Sequence, residues 1–265
     1  MSGVEVVNWN PRVSYRVPGT KKRIRVGPRI NNFGDLLGPI IADRLLEIGG
    51  LRSSSRRGTR KRLLTVGSIM HFAQPGDTVW GTGVNGKVTP AVPVPENLDV
   101  RAVRGPLTRE YLLEHGVDVP PVYGDPALLL PALVDGLAVK KSDRVYPLTV
   151  IPNLNDLERY KADGIEFVDP RSELYSCLRR IASSEFVTGS SLHAIIVAEA
   201  LGIPARLVKS DHESDLKYLD YYLGSGRGGY KAASSVKQAA EWGGEPPLFW
   251  EPEALKNAFP TDLWV

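Results

Sequence analysis

A chain of 265 residues with 42% apolar side chains and a formal charge of +3 has ample content for a core, in one large domain or two small ones, and is not composed as a disordered or fibrous protein. The single cysteine, Cys177, excludes an internal disulfide, and the four scattered histidines form no zinc-type cluster, so no metal site is expected. No run approaches the ~20 uninterrupted apolar residues of a membrane span and no signal peptide opens the chain, so the expectation is a soluble, cytoplasmic protein.

Residues 4–7 read as a strand entering the loop Trp9-Asn10-Pro11. A basic excursion follows, in which Arg12, Arg16, Lys21, Lys22, Arg23, Arg25 and Arg29 crowd an amino-terminal loop. Leu36, Leu37, Ile40, Ile41, Leu45 and Leu46 then mark one face of a helix over 36–48. A second basic run, Arg52, Arg56, Arg57, Arg60, Lys61 and Arg62, reads as a solvated loop loosened by Ser53-Ser54-Ser55 and Gly58. Strands are expected at 63–66, 77–80 and 99–103, and a helix from Pro106 to Leu113 that Gly116 ends. Residues 121–123 run into Gly124-Asp125-Pro126, where Asp125 caps the short helix that Pro126 begins.

A polar break near 136–146 separates this array from a second one. Strands are expected at 147–151, 165–168 and 205–208, with a further short strand ahead of Gly189. Helices are expected through Leu157, over 172–181, from the turn at Ser190-Ser191 to Gly202, and over 215–223. Cys177 falls among Leu174, Leu178 and Ile181 at helical spacing and reads as core. The alternation predicts an α/β fold of two Rossmann-like lobes facing a cleft, residues 1–140 and 141–245, with 246–265 as a carboxyl-terminal tail. Neither lobe carries a Gly-x-Gly-x-x-Gly nucleotide fingerprint directly after a strand.

Several segments place polar residues at strand ends or helix starts. In Thr188-Gly189-Ser190-Ser191-Leu192-His193 a strand breaks into a helix, where free N–H groups and the helix dipole attract anions and an imidazole adds a proton donor. The same residues also fit a plain serine N-cap beside a satisfied histidine. Asp35, in Asn32-Phe33-Gly34-Asp35, is either an N-cap or a carboxylate presented to the cleft. Arg104, at the end of a strand, is either an exposed ion pair or a bidentate partner for carboxylate or phosphate. The basic runs fit an anionic membrane or a phosphorylated substrate. Neither is laid out with the regular interleaved aromatics of a single-strand groove, so nucleic acid is not expected as a partner.

The order of motifs is more specific than any one of them. Asn32-Phe33-Gly34-Asp35, Gly67-Ser68-Ile69, Val79-Trp80-Gly81-Thr82-Gly83, Val103-Arg104-Gly105-Pro106, Gly124-Asp125-Pro126-Ala127, Ser191-Leu192-His193-Ala194 and Ala198-Glu199-Ala200-Leu201-Gly202-Ile203-Pro204, with Lys217-Tyr218-Leu219-Asp220-Tyr221-Tyr222 beyond, resemble the polysaccharide pyruvyl transferase family over roughly residues 4 to 235. The resemblance implies a fold like that of GT-B glycosyltransferases, with the first lobe on the acceptor side and the second on the donor side. It implies no cofactor: phosphoenolpyruvate is the co-substrate and donor. The acceptor is a sugar diol on a polysaccharide or lipid-linked precursor, and the product is a cyclic pyruvate ketal. The basic loops would then offer a peripheral contact with the inner face of the membrane.

On this reading Arg104, Ser190, Ser191, Leu192 and His193 bind the donor, with His193 contacting phosphate and acting as acid. Asn32 and Asp35 face the acceptor, with Asp35 as base. Many family members carry arginine where this chain has Ser191, and Arg206, Lys209 and Arg227 are candidates to replace it. The rival readings are a GT-B glycosyltransferase using a sugar nucleotide and a noncatalytic carbohydrate-binding protein of the same fold.

Overall fold

The computed structural model describes residues 3–51, 61–87 and 92–265. The first half builds a wholly parallel four-stranded sheet in the order β1-β4-β5-β6, from β1 (Val4–Val7), β4 (Lys61–Leu64), β5 (Thr78–Trp80) and β6 (Asp99–Ala102). A parallel bridge between Val103 and Tyr123 extends it by one more segment. The helices that return the chain are α1 (Leu37–Ile48) and α2 (Pro106–Glu114). Helix α1 buries Leu37, Ile41, Ala42 and Leu46, the stripe expected from its spacing.

The second half builds a parallel three-stranded sheet, β7 (Thr149–Val150), β8 (Val187–Gly189) and β9 (Ala205–Leu207). Around it lie α4 (Leu157–Ala162), α5 (Leu174–Ala182), α6 (Leu192–Ala200) and α7 (Leu216–Gly224). Helix α5 is strongly one-sided, burying Leu174, Cys177, Leu178 and Ile181, and Glu173 caps it by accepting the N–H groups of Tyr175 and Ser176. Helix α6 is apolar on nearly every side, and Ala194, Ile195, Ile196, Val197 and Ala198 are fully buried. Such burial contributes about 1.5–3 kcal/mol for each large aliphatic side chain, which makes α6 the centre of the core. That core cluster takes in residues from α1, the short helix α3 (Leu130–Leu133), α5, α6 and both sheets.

Three expectations need correction. The basic segment 12–29 is not a loop: β2 (Arg12–Arg16) and β3 (Arg23–Arg29) pair as an antiparallel hairpin. Residues 165–168 are not a strand, because β7 is only two residues long and offers the segment one hydrogen bond, from Val168 N–H to the Val150 carbonyl. Asp35 is not an N-cap: it sits inside a 3-10 turn (Phe33–Leu36), and Leu36 precedes α1.

Of the second basic run, Arg52, Arg56, Arg57 and Arg60 lie outside the described residues. Arg62, by contrast, is held by Asp77 at 2.9 Å and by the Phe72 carbonyl. Asp125 does cap, accepting the Ala127 N–H at 3.0 Å. After α8 (Val236–Trp242), residues 246–265 include α9 (Pro252–Asn257) and fold back on the first sheet. Trp250 Nε1 donates to the Tyr123 carbonyl, and Trp80 Nε1 donates to the carbonyl of Leu255.

Candidate active site

In parallel sheets ligands gather beyond the carboxyl ends of the strands. Here a cleft of about 910 Å³ opens at that place in both sheets. Its wall takes Ser68 from the turn after β4, Asn153 and Asn155 from beyond β7, Ser191, Leu192 and His193 from beyond β8, and Glu213 and Lys217 from beyond β9. Asn32 and Asp35 reach it from the 3-10 turn ahead of α1.

His193 stands in the first turn of α6, packed on Gly34: a Cβ at Gly34 would lie 2.2 Å from its Nδ1. Burial, reinforced by the positive Lys217 and Arg104, pushes the imidazole down to about 3, so the ring is neutral at physiological pH. Its Nε2 is buried and has no hydrogen-bond partner among the described residues. A buried unpaired nitrogen is costly, and in the wall of a cleft it marks a place where a ligand atom can bond. Ser191 holds the N-cap position in extended conformation, but its hydroxyl takes none of the first-turn N–H groups. Those donors therefore remain open to an anion. Gly189 makes the entry to this turn possible, since at φ +129° any Cβ would sit 2.1 Å from the Ile151 carbonyl oxygen.

Asp35 accepts the Asn32 side-chain amide at 2.5 Å. Burial pushes its carboxyl up to about 7, against the downward pull of that hydrogen bond and of the Lys217 charge. Near neutral pH it therefore exchanges a proton readily. Lys217 is buried and ion-paired with Glu213 at 2.7 Å; Lys87 at 2.6 Å and the Asn155 amide at 2.8 Å share that carboxylate. Burial alone would raise the Glu213 carboxyl, but Lys217, Lys87 and Asn155 hold it below its ordinary value. Burial lowers the Lys217 ammonium.

Of the residues singled out in the sequence, Asn32, Asp35, Ser191, Leu192 and His193 line one cleft. Two do not. Ser190 is fully buried, and its hydroxyl accepts the Asn153 N–H at 2.9 Å, so it shapes the wall from behind. Arg104 is 0% exposed: it donates to Asp220 at 3.0 Å, to the Ser68 hydroxyl at 2.7 Å and to the Val84 carbonyl. It stands one layer behind Ser68 and supports the cleft rather than lining it.

The three candidates for the missing cation are also elsewhere. Arg206 binds Glu245 and the Gly243 and Gly244 carbonyls, Arg227 pairs with Glu199 at 2.7 Å, and Lys209 is exposed outside the cleft. Lys217 and Lys87, which sequence reasoning passed over, are the lysines in the wall. Lys217 lay inside a quoted motif, and its i, i+4 spacing from Glu213 was the available signal.

The pattern that defines polysaccharide pyruvyl transferases matches residues 78–212, just over half of the chain. The chain belongs to the polysaccharide pyruvyl transferase family. That match spans His193 and β5 through β9, while Asn32, Asp35 and Lys217 lie outside it. Within this family setting, two relatives align over longer stretches. The succinoglycan biosynthesis protein ExoV of Rhizobium meliloti is 30% identical over 203 residues, covering 72% of this chain and 60% of that protein. The uncharacterized protein L143 of Acanthamoeba polyphaga mimivirus is 29% identical over 169 residues, covering 59% of this chain and 57% of its own. The aligned region thus spans less than two thirds of either relative. A functionally uncharacterized protein of Klebsiella pneumoniae superposes with a TM-score of 0.46 at 12% identity, covering 77% of this chain and 89% of that one.

Proposed function

We propose that the cleft transfers the enolpyruvyl group of phosphoenolpyruvate to a sugar diol and closes it as a pyruvate ketal, in the synthesis of an exopolysaccharide. Family membership and the similarity to a succinoglycan biosynthesis protein support this reading. The observation that carries it is one wall holding a neutral histidine at a helix start, a buried lysine and a carboxyl poised at about 7.

The donor brings a phosphate and a carboxylate close together. The open first turn of α6 would take the phosphate beside His193, with Lys217 and Lys87 balancing the remaining charge. His193 enters the cycle neutral, so its role as acid requires a proton taken up with the donor, whose dianionic phosphate favours the imidazolium. That proton goes to the donor's methylene carbon, and the cationic carbon beside it is attacked by the first hydroxyl, whose proton Asp35 accepts. The bond from that carbon to the phosphate oxygen then breaks, and the second hydroxyl closes the ketal. Of the two protons the diol gives up, one ends on the methyl carbon and the other on the departing phosphate. Asn32 orients Asp35 toward the acceptor.

The test is phosphate release from phosphoenolpyruvate with a panel of glycosides and lipid-linked saccharides, with mass analysis of the acceptor for added pyruvate less water. Release of a nucleoside diphosphate from a sugar nucleotide instead would assign the cleft to glycosyl transfer. Acceptor binding with no turnover of either donor would assign it to a binding protein.

A further inference from the structure

We propose that the β2–β3 hairpin is a membrane-docking element that seats the mouth of the cleft on an anionic lipid surface. Between Val6 and Gly34 the chain holds Arg12, Arg16, Lys21, Lys22, Arg23, Arg25 and Arg29 and not one aspartate or glutamate. Pairing sets like charges directly opposite one another, Arg16 against Arg23 and Arg12 against Arg29. Such pairs repel and destabilise a sheet unless an anion lies between or beside them. Among the described residues none of these seven cations forms an ion pair; Arg12, Arg16 and Arg29 reach only backbone carbonyls.

The opposite face is apolar. Tyr15 pairs with Ile24, Val26 follows on the same side, and the three are 53%, 49% and 48% exposed. Every residue of β3 is exposed and only Val13 and Ser14 of β2 are half-buried, at the base, so the outer part of this ribbon is covered by nothing else among the described residues. A two-stranded ribbon of this kind is marginal in water and is stabilised by whatever it packs on.

The two faces together select the partner. A soluble phosphate or a polyanionic chain would use the cations and leave Tyr15, Ile24 and Val26 in water. A single aromatic side chain makes no stacking platform for nucleic acid bases. An anionic bilayer uses both. Entering the headgroup layer tip first, the hairpin sets Arg16, Lys21, Lys22 and Arg23 against lipid phosphates while Tyr15, Ile24 and Val26 slip between headgroups. The base of the hairpin belongs to the cleft, since Val13 and Arg29 line it. Docking therefore holds the cleft at the surface where a lipid-linked acceptor would lie. The lipid contact itself is independent of the reaction assigned above.

Co-sedimentation with vesicles tests the proposal on the full chain. The protein should pellet with equimolar phosphatidylglycerol and phosphatidylcholine, not with phosphatidylcholine alone, and high salt should release it. The double variant Arg16→Gln/Arg23→Gln should bind about 25-fold more weakly, at about fivefold for each basic residue near the surface. Tyr15→Ser/Ile24→Ser should also weaken binding with no change of charge, which a purely electrostatic contact would not show. None of these four residues lines the cleft, so phosphoenolpyruvate affinity should hold in both variants and thermal melts should show a folded chain. If either double variant unfolds, Lys21→Gln/Lys22→Gln in the turn reads the same charge dependence. Failure to bind the anionic vesicles, equal binding to phosphatidylcholine alone, or duplex DNA binding that competes with the vesicles and ignores the Tyr15/Ile24 change would each overturn the proposal.

Discussion

Nδ1 of His193 lies 2.2 Å from the point a Cβ on Gly34 would occupy, so two segments some 160 residues apart meet by the absence of one methyl group. Gly34 is not at positive φ; what it provides is room. Gly34→Ala should therefore displace the imidazole and cost about 1–3 kcal/mol, the range for overpacking a tight contact. Calorimetric titration with phosphoenolpyruvate should show weakened binding in the folded variant. Unchanged affinity would mean that the position of His193 does not matter for the donor.

Lys217→Met removes the buried ammonium at nearly constant volume and leaves Glu213 with Lys87 and Asn155 as partners. Donor affinity should fall on the order of ten- to a hundredfold, as expected for losing about 1.5–3 kcal/mol of charge-assisted hydrogen bonding. The same titration on Lys209→Met, a lysine outside the cleft, should show no change. Equal losses in the two would mean that the lysines act only through the overall field.

Asp35→Asn should slow transfer by about 10² to 10⁴-fold at saturating substrates while donor affinity holds. In the native enzyme kcat should rise as pH passes upward through about 7, where the carboxyl ionises. The stability effect has the opposite sign. The folded carboxyl keeps its proton up to about 7 and the unfolded one only to 3.8, so the native fold loses stability as pH rises through that window. Thermal melts should thus show Asp35→Asn gaining on the native protein at pH 8 and not at pH 4.

His193 titrates in the other direction. Its folded pKa is depressed from 6.5 to about 3, so the unfolded chain takes up a proton that the native state refuses, and stability drains away as pH falls between those values. His193→Gln should lose less stability than the native protein between pH 7 and pH 4. The ring nitrogens should give neutral-imidazole NMR shifts at pH 6 and move toward imidazolium when phosphoenolpyruvate is added. A ring that stays neutral in the donor complex cannot be the acid.

Arg104→Ala should act through the fold. It leaves Asp220 buried with only Thr108 for a partner, and breaking a buried pair from one side costs about 3–5 kcal/mol. Arg104→Lys, which cannot reach Asp220, Ser68 and Val84 at once, should be destabilised as well. A lysine variant as stable as the native protein but unable to bind the donor would put Arg104 back in direct contact with it.

Parallel strands were legible where a short β-branched or aliphatic run stops at glycine or a small polar turn, as at Val187–Gly189 and at Leu64 before Gly67. Asn32, Asp35 and His193 could be placed at the cleft because strand ends and helix starts converge in such folds. The hairpin was missed: Val13, Tyr15, Ile24 and Val26 do alternate with polar residues on either side of Pro18-Gly19, but the density of arginine hid the period of two and the segment read as a loop. The burial of Arg104 was not legible either. Its carboxylate partner, Asp220, lies 116 residues further along the chain, and no local spacing reveals that contact. Lys217 escaped for a similar reason: whether a lysine at a helix start faces water or a cleft depends on what packs against the helix.

Helix α7 carries two charged side chains, three residues apart, that have different partners. Lys217 looks into the cleft, while Asp220, one turn on, takes the Thr108 N–H and hydroxyl and the Arg104 guanidinium from the first sheet and its helix α2. Asp220 therefore ties α7, and with it the lysine of the cleft wall, to the strand end at Arg104 and to the start of α2, so a shift of either segment is passed on to Lys217.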